Sequence, residues 1–341
     1  MANGPKLLLV RHGPGRGRFV NYANAWIRRA ERHRPALYRR MVIHETGGKR
    51  PSLEGVGAVV FLLADPLRER YPDCYAEATQ IAGEAEARGL PLANAPDALS
   101  STIKTVQASR WQAAGVPCAA CVPYRNRAEF DDAIARVPFP VIVRPDLLHA
   151  QQFTFQCRTP EEAARLGEAQ LRYPGVVVQF IDTRQGWDQR APGSVWHRYY
   201  HRCRAYVFGD RVFPQAIYFS EGPIVASETS TFQPYKGWGM LKSPLLRLRP
   251  EVRQTVLEDV RYAGGPPDAP ELMSRSVRSL GLDFAAVDYA RLGDGSLALW
   301  EANPHPSMAV WRHMALPVAR RLRRRWEVIY DGALDFVEGL A

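Results

Sequence analysis

Phe284-Ala285-Ala286-Val287-Asp288-Tyr289-Ala290-Arg291-Leu292-Gly293-Asp294-Gly295-Ser296-Leu297-Ala298-Leu299-Trp300-Glu301-Ala302-Asn303 is the stretch on which the reading of the fold turns. Two apolar runs flank Asp294-Gly295, a dipeptide that closes tight β-hairpins because both residues tolerate positive φ. With a two-residue turn there, Gly293 faces Ser296, and the pairing continues until Asp288 faces Glu301. Asn303, two residues further on, shares their face. Two carboxylates opposed in the middle of an apolar hairpin repel unless something compensates them. A divalent cation would do so, and carboxylate and carboxamide oxygens suit Mg²⁺. The alternatives are a proton shared between the carboxyls or a register one residue off. Asn303-Pro304-His305-Pro306 then leaves the hairpin as a loop, a natural place for substrate contacts.

Upstream of the hairpin, apolar strands alternate with helical stretches. Lys6–Val10, Val56–Ala64 and Leu90–Ala93 read as strands, with a basic helix over Asn21–Met41 and an Ala-rich helix over Tyr75–Arg88 that stops at Gly89. This alternation predicts a parallel α/β domain over residues 1–100. A helix over Thr102–Ala114 follows, then one over Arg125–Arg136. Next come a strand at Phe139–Pro145, a return strand at Phe153–Cys157, and a helix over Thr159–Tyr173 opened by Thr-Pro-Glu-Glu. Val176–Ile181 is a β-branched strand. Tyr199–Phe208 and Arg211–Phe219 flank Gly209-Asp210 as a second hairpin. Pro250–Leu280 reads as helix interrupted at Gly264-Gly265-Pro266-Pro267, and a basic helix over Pro317–Gly332 closes the chain.

The 341 residues suggest about two domains, and 46% hydrophobic with 23% charged residues describe an ordinary globular chain. No apolar run approaches the roughly 18–20 residues of a bilayer span, and the first residues lack a signal-peptide pattern. A cytoplasmic protein without membrane contact is therefore expected. The net charge of +10 favours anionic partners. Its Arg excess gathers at Arg16–Arg40 and Arg320–Arg325, where solvated helix faces explain it, and no nucleic-acid module accompanies it. The five cysteines are too scattered for a disulfide framework, and Cys118-x-x-Cys121 has no second pair or spaced histidines for zinc, which leaves packing as its reading.

Gly281-Leu282-Asp283-Phe284-Ala285-Ala286-Val287-Asp288-Tyr289 with Leu299-Trp300-Glu301-Ala302-Asn303-Pro304 resembles the metal-binding end of the ATP-grasp ligases, among them the D-alanine–D-alanine and ribosomal-protein glutamate ligases. Other segments fall in the family's order over about residues 90–310. Lys104 with Ala114-Gly115-Val116-Pro117 is similar to the entry to the central domain. Pro140-Val141-Ile142-Val143-Arg144-Pro145 is similar to the phosphate-facing strand, with Arg144 in place of its lysine. Val177-Val178-Gln179-Phe180-Ile181-Asp182 looks like the hinge that holds adenine. Arg204 ahead of Val207-Phe208-Gly209-Asp210 resembles the arginine that stabilises transferred oxygens.

The resemblance implies an α/β ATP-grasp fold in three parts: an N-terminal domain (1–100), a central lobe (101–175) and a C-terminal lobe (176–341). ATP would lie between the lobes of residues 104–175 and 176–315. It implies Mg²⁺ on Asp288, Glu301 and Asn303. Lys104, Arg144, Gln179, Phe180, Ile181 and Asp182 would hold ATP, and Arg204 would be catalytic. The reaction would join a small-molecule or peptide carboxylate to an amine through an acyl phosphate, and a homodimer is compatible with the sequence.

The segment Asp146–Phe153 departs from the pattern, because the family's loop over the phosphates is glycine-rich and this one has no glycine. A catalytically degenerate nucleotide- or partner-binding protein is therefore the alternative. A third reading rests on Arg11-His12-Gly13, which is similar to the opening of the histidine phosphatases but lacks their following residues.

Overall fold

The computed structural model describes residues 4–13, 20–147, 153–184, 186, 198–225, 229–230, 250–306 and 316–341, with the backbone alone for 20–24 and 316–322. The strands β1 (Lys6–Arg11), β2 (Met41–Glu45), β3 (Val56–Leu62) and β4 (Leu92–Ala93) form a parallel sheet in the order β2-β1-β3-β4. The apolar runs of β1 and β3 have no polar face because both sides of the sheet are covered. Trp26, Ile27 and Ala30 of helix α1 (Val20–His33) lie on one side. Cys74, Ala78, Ile81 and Ala85 of helix α4 (Pro72–Ala87) lie on the other.

The single basic helix expected over 21–41 is two. Pro35 has no N–H to donate and excludes the helical conformation at Arg34, so α1 ends and α2 (Pro35–Arg40) begins. Met41, the last residue of the expected helix, instead opens the edge strand β2, for which the sequence gives no strand signal. A single turn, α3 (Leu67–Arg70), precedes α4.

Helix α5 (Lys104–Ala113) ends at Gly115, whose φ of 64° closes the last turn. Beyond it lies the central sheet: β5 (Cys121–Tyr124), β6 (Val141–Pro145), β7 (Phe155–Cys157) and β8 (Gly175–Gln179), antiparallel in the order β5-β8-β6-β7. Helix α6 (Arg127–Arg136) is capped by Asn126, and α7 (Pro160–Ala164) by Thr159. The helix expected over 159–173 therefore stops after five residues, where Gly167 starts a turn. Strand β8 is central in this sheet, so the sheet runs past the division expected at residue 175.

The third sheet is antiparallel, in the order β10-β9-β11-β12: β9 (Tyr200–Phe208), β10 (Arg211–Ser220), β11 (Phe284–Arg291) and β12 (Leu297–Asn303). Helices α8 (Pro250–Gly264) and α9 (Pro270–Arg278) pack beside it, and α10 (Leu316–Glu338) closes the chain. Odd residues of β9 and β11 (Cys203, Ala205, Val207, Ala285, Val287, Tyr289) share a core with β1, β3 and α4. Even residues (Tyr206, Phe208, Phe284, Ala286) share a second core with the other face of β1 and β3 and with Trp326, Ile329 and Leu334 of α10. The first and third sheets thus form one packed body. The central sheet has a core of its own, built on Tyr124, Phe130, Val141, Val143 and Val177.

Two arginines of the N-terminal run, Arg29 and Arg34, serve this packing. Arg29 forks onto Asp331, Arg34 reaches Asp335 and Glu338, and Arg211 joins Asp335. These partly exposed pairs contribute about 0–1 kcal/mol each, and they fix where α10 sits. Arg325, expected on a solvated face, is instead buried against Asp259 at 3.0 Å. No helix among the described residues is long and apolar enough to cross a membrane.

Candidate active site

The hairpin pairs Asp288 with Glu301, as its sequence predicts, but by a different route. The turn has three residues, not two. Leu292 N–H donates to Ser296 O at 2.8 Å, and Gly295 has a φ of 85°. This shifts the register by one, and Trp300, inserted as a bulge, shifts it back. Gln107 of α5 satisfies the strand at the bulge: its Nε2 donates to Trp300 O and its Oε1 accepts from Ala302 N–H, both at 2.9 Å. Leu299 N–H donates to Pro117 O at 2.9 Å. Helix α5 is thereby docked along β12, which brings Lys104 to the carboxylates.

Asp288 is 3% exposed. Arg204, opposite it on β9, donates through Nε to Oδ1 at 2.6 Å and through Nη2 to Oδ2 at 2.8 Å, a bidentate fork. Arg202 Nη1 stands 3.3 Å from Oδ2. Burial works against the Arg204 charge, and the Asp288 carboxylate more than restores it, so the guanidinium is held above its ordinary pKa. Tyr262 on α8 donates to Arg204 O at 3.2 Å and fixes the strand behind it. Glu301 accepts from Lys104 Nζ at 2.7 Å. Asn303 lies on the same face, and its Oδ1 accepts from His305 N–H at 2.9 Å. The mutual repulsion of Asp288 and Glu301 is thus compensated by Arg204 and Lys104.

The donor set still fits a hard divalent cation. Two carboxylates and a carboxamide offer oxygen donors only, the ligand type such a cation takes. Among the described residues no cluster of three or more His, Cys, Asp or Glu side chains could hold a metal, so a metal here depends on Asn303 as the third ligand.

The other expected nucleotide residues lie on the central sheet and its exit. Arg144 is on β6 beside β8. Gln179 N–H donates to Ala120 O and Phe180 N–H to Pro140 O, both at 2.9 Å, so these two amides tie the hinge to the central sheet. The Phe180 ring meets Tyr200 edge-on at 5.8 Å. Ile181 follows, and Asp182 is paired with Arg184, which lowers its pKa.

Asp146, which the sequence reading treated only as part of the glycine-free segment, joins the two bodies. It accepts from Thr105 N–H at 3.1 Å and from Thr105 Oγ1 at 2.6 Å, capping α5 from the central lobe. The helix's own N-cap, Ile103, has no group for that task. Burial raises the Asp146 pKa, while the Thr105 bonds and the charges of Lys104 and Arg144 pull it back. Replacing Asp146 by alanine is expected to cost about 1 kcal/mol, the typical worth of a cap. A urea titration against wild type measures it.

Residues 148–152 of the glycine-free loop, Arg16, Arg18 and most of Glu221–Met240 lie outside the described residues. The third reading meets a fold explanation. His12 Nε2 accepts from Ala64 N–H at 2.8 Å, and Arg11 is ion-paired with Glu45. All five cysteines are free thiols, and burial first, then the neighbouring Cys118, pushes Cys121 up to about 12, which is unlike a reactive thiolate.

His201 lies on the opposite face of β9, where its Nε2 accepts from Arg291 N–H at 3.2 Å. Burial holds its pKa down at about 4. The folded state therefore keeps it neutral while the unfolded chain protonates below about pH 6.5. Its contribution is fully present above that pH and is lost as pH falls toward 4, up to about 3 kcal/mol. Urea midpoints at pH 7 and 4.5 should differ less in His201→Gln than in wild type.

No family model and no curated protein matches the chain by sequence. Solved structures match its fold. The D-alanyl-alanine synthetase A of Vibrio cholerae superposes with a TM-score of 0.54 at 12% identity, over 98% of each chain. A RimK domain ATP-grasp protein from Sphaerobacter thermophilus gives 0.53 at 15% identity, over 97% of this chain and 99% of that one. The ATP-grasp ligase PsnB, complexed with a phosphomimetic variant of its minimal precursor, Mg and ADP, gives 0.51 at 14% identity, over 95% and 100%. The chain has the ATP-grasp fold.

Proposed function

We propose that this chain is an ATP- and Mg²⁺-dependent ligase that joins a carboxylate to an amine. The observation that carries the reading is the convergence, from three distant segments, of Lys104 on Glu301 and Arg204 on Asp288, with Asn303 on the same face. A fold likeness alone does not assign chemistry; this set of side chains is what supports the ligase reading.

Asp288, Glu301 and Asn303 would hold Mg²⁺, and Lys104, Arg144 and the 179–182 hinge would hold the nucleotide. When bound, Mg-ATP supplies the phosphoryl group that activates the carboxylate. Within the chain, Asp288 orients Arg204 so that its remaining donors meet negative charge developing on the reacting oxygens. Glu301 fixes the position of Lys104 through the 2.7 Å contact with its Nζ. Asp146 ties the first turn of α5, and with it Lys104, to the central lobe.

A second reading has its own support. The cations are already neutralised by the same carboxylates that would bind the metal, an arrangement that also suits a module binding nucleotide without turnover. The full chain incubated with Mg-ATP and pooled amino acids and short peptides, assayed for ADP release, separates the two. Release that requires both a carboxylate and an amine supports ligation. A nucleotide-induced rise in melting temperature without release supports the binding module, and neither effect contradicts both.

A further inference from the structure

Arg202 is a cation on the site's face that neither the fold nor the proposed chemistry uses fully. The alternation of β9 puts it two residues from Arg204, on the same side of the sheet. It pairs across β10 with Tyr218, and its guanidinium lies over that ring, 5.1 Å from the centroid. Its side chain is 18% exposed. Among the described residues it makes a single charge contact, at 3.3 Å to Asp288 Oδ2, an oxygen that already accepts from Arg204 at 2.8 Å. Among the described residues its buried Nε donates to nothing. A guanidinium carries five N–H donors in a planar fork, and burying one so poorly used is unfavourable in a free-standing fold.

The charges on this face leave the same residue over. Among the described residues, Lys104 balances Glu301 and Arg204 balances Asp288, so one positive charge remains at Arg202. One unit matches a carboxylate, whereas a phosphate monoester carries about −1.5 to −2. Stacking on Tyr218 leaves the edge of the fork for in-plane, bidentate pairing, the geometry that suits carboxylate. A carboxylate that reacts loses its charge on activation and would strand Arg202 again; a carboxylate that does not react keeps the pair intact throughout.

We propose that Arg202, backed by Tyr218, receives a non-reacting carboxylate of the substrate, so that the substrate carries an acid group besides the one that reacts. This rests on the ligase reading above and narrows its substrate class to dicarboxylates and acidic amino acids or peptides.

Isothermal titration of the full chain with Mg-ADP, and then with glutarate, butyrate or inorganic phosphate in the presence of Mg-ADP, tests it. Wild type should prefer glutarate to butyrate by about tenfold or more, as expected for a charged hydrogen-bonded pair. Arg202→Met should erase that preference while leaving the Mg-ADP affinity within about twofold. Because Met keeps the apolar stem on Tyr218, its melting temperature should equal or exceed that of wild type. The proposal is overturned by equal binding of glutarate and butyrate to wild type, by a variant that keeps the preference, or by loss of phosphate or Mg-ADP binding in the variant with glutarate unaffected. Absence of Mg-ADP binding in wild type, with an Arg202-dependent glutarate preference intact, would sink the ligase reading and leave the carboxylate site standing.

Discussion

Replacing Asp288 by alanine is expected to cost about 3–5 kcal/mol of folding stability, the usual consequence of stripping one partner from a buried ion pair. Asp288 accepts both arms of Arg204 and stands 3.3 Å from Arg202, and the three side chains are 4%, 14% and 18% exposed. Removing the carboxylate leaves two neighbouring guanidinium groups facing each other with little water to solvate them. Asp288→Asn should lose less, because the carboxamide oxygen still accepts one bond. Urea unfolding of wild type and both variants at pH 7 measures the difference. A loss below about 1 kcal/mol for the alanine variant would mean that the pair is solvated like a surface salt bridge.

The second large effect falls on turnover. Glu301→Gln retains volume and an oxygen that can accept from Lys104 Nζ, so stability should stay within about 1 kcal/mol of wild type. Its charge is gone, and with it the stronger donor to a divalent cation and the counter-charge that orients Lys104. Mg-ATP-dependent ADP release should fall by about 10²-fold or more, the scale seen when a preorganised electrostatic group is lost from an active site. Unchanged release would remove Glu301 from the metal set. On the proposed function, the two substitutions separate two contributions of one cross-strand pair: the tie of Asp288 to Arg204, read in stability, and the charge of Glu301, read in turnover.

The parts of this site that were legible in the sequence are local ones. Alternation along Phe284–Arg291 and Leu297–Asn303 and the Gly-rich turn place Asp288, Glu301 and Asn303 on one face. The expected two-residue turn gives the right pair because two departures cancel, the third turn residue and the Trp300 bulge. Neither could be seen in advance, since the bulge depends on Gln107, which is 193 residues from Trp300 in the chain. The same distance hid the cations. Lys104 and Arg204 stood out one by one, but that each would neutralise one carboxylate of the hairpin is a tertiary fact.

Asp146 capping α5 has no sequence signal beyond residue type, and strand alternation puts Arg202 on the face of Arg204 without showing that both meet Asp288. Strand β2 was missed because its five residues follow a helical, Arg-rich run without a glycine. The Arg run itself reads as surface charge, whereas Arg29 and Arg34 of it clamp α10, whose acids Asp331, Asp335 and Glu338 lie some 300 residues away. These pairs take up positive and negative charge in equal measure, so the +10 excess rests on other residues.

The central claim is that nucleotide and divalent cation bind together at the Asp288–Glu301–Asn303 face. Isothermal titration of the full chain with ADP, with and without Mg²⁺, tests it most directly. The account predicts one site per chain, binding that weakens at least about tenfold when EDTA removes the metal, and a similar loss in Glu301→Gln. Binding of equal strength in all three conditions would place the nucleotide elsewhere and contradict the account.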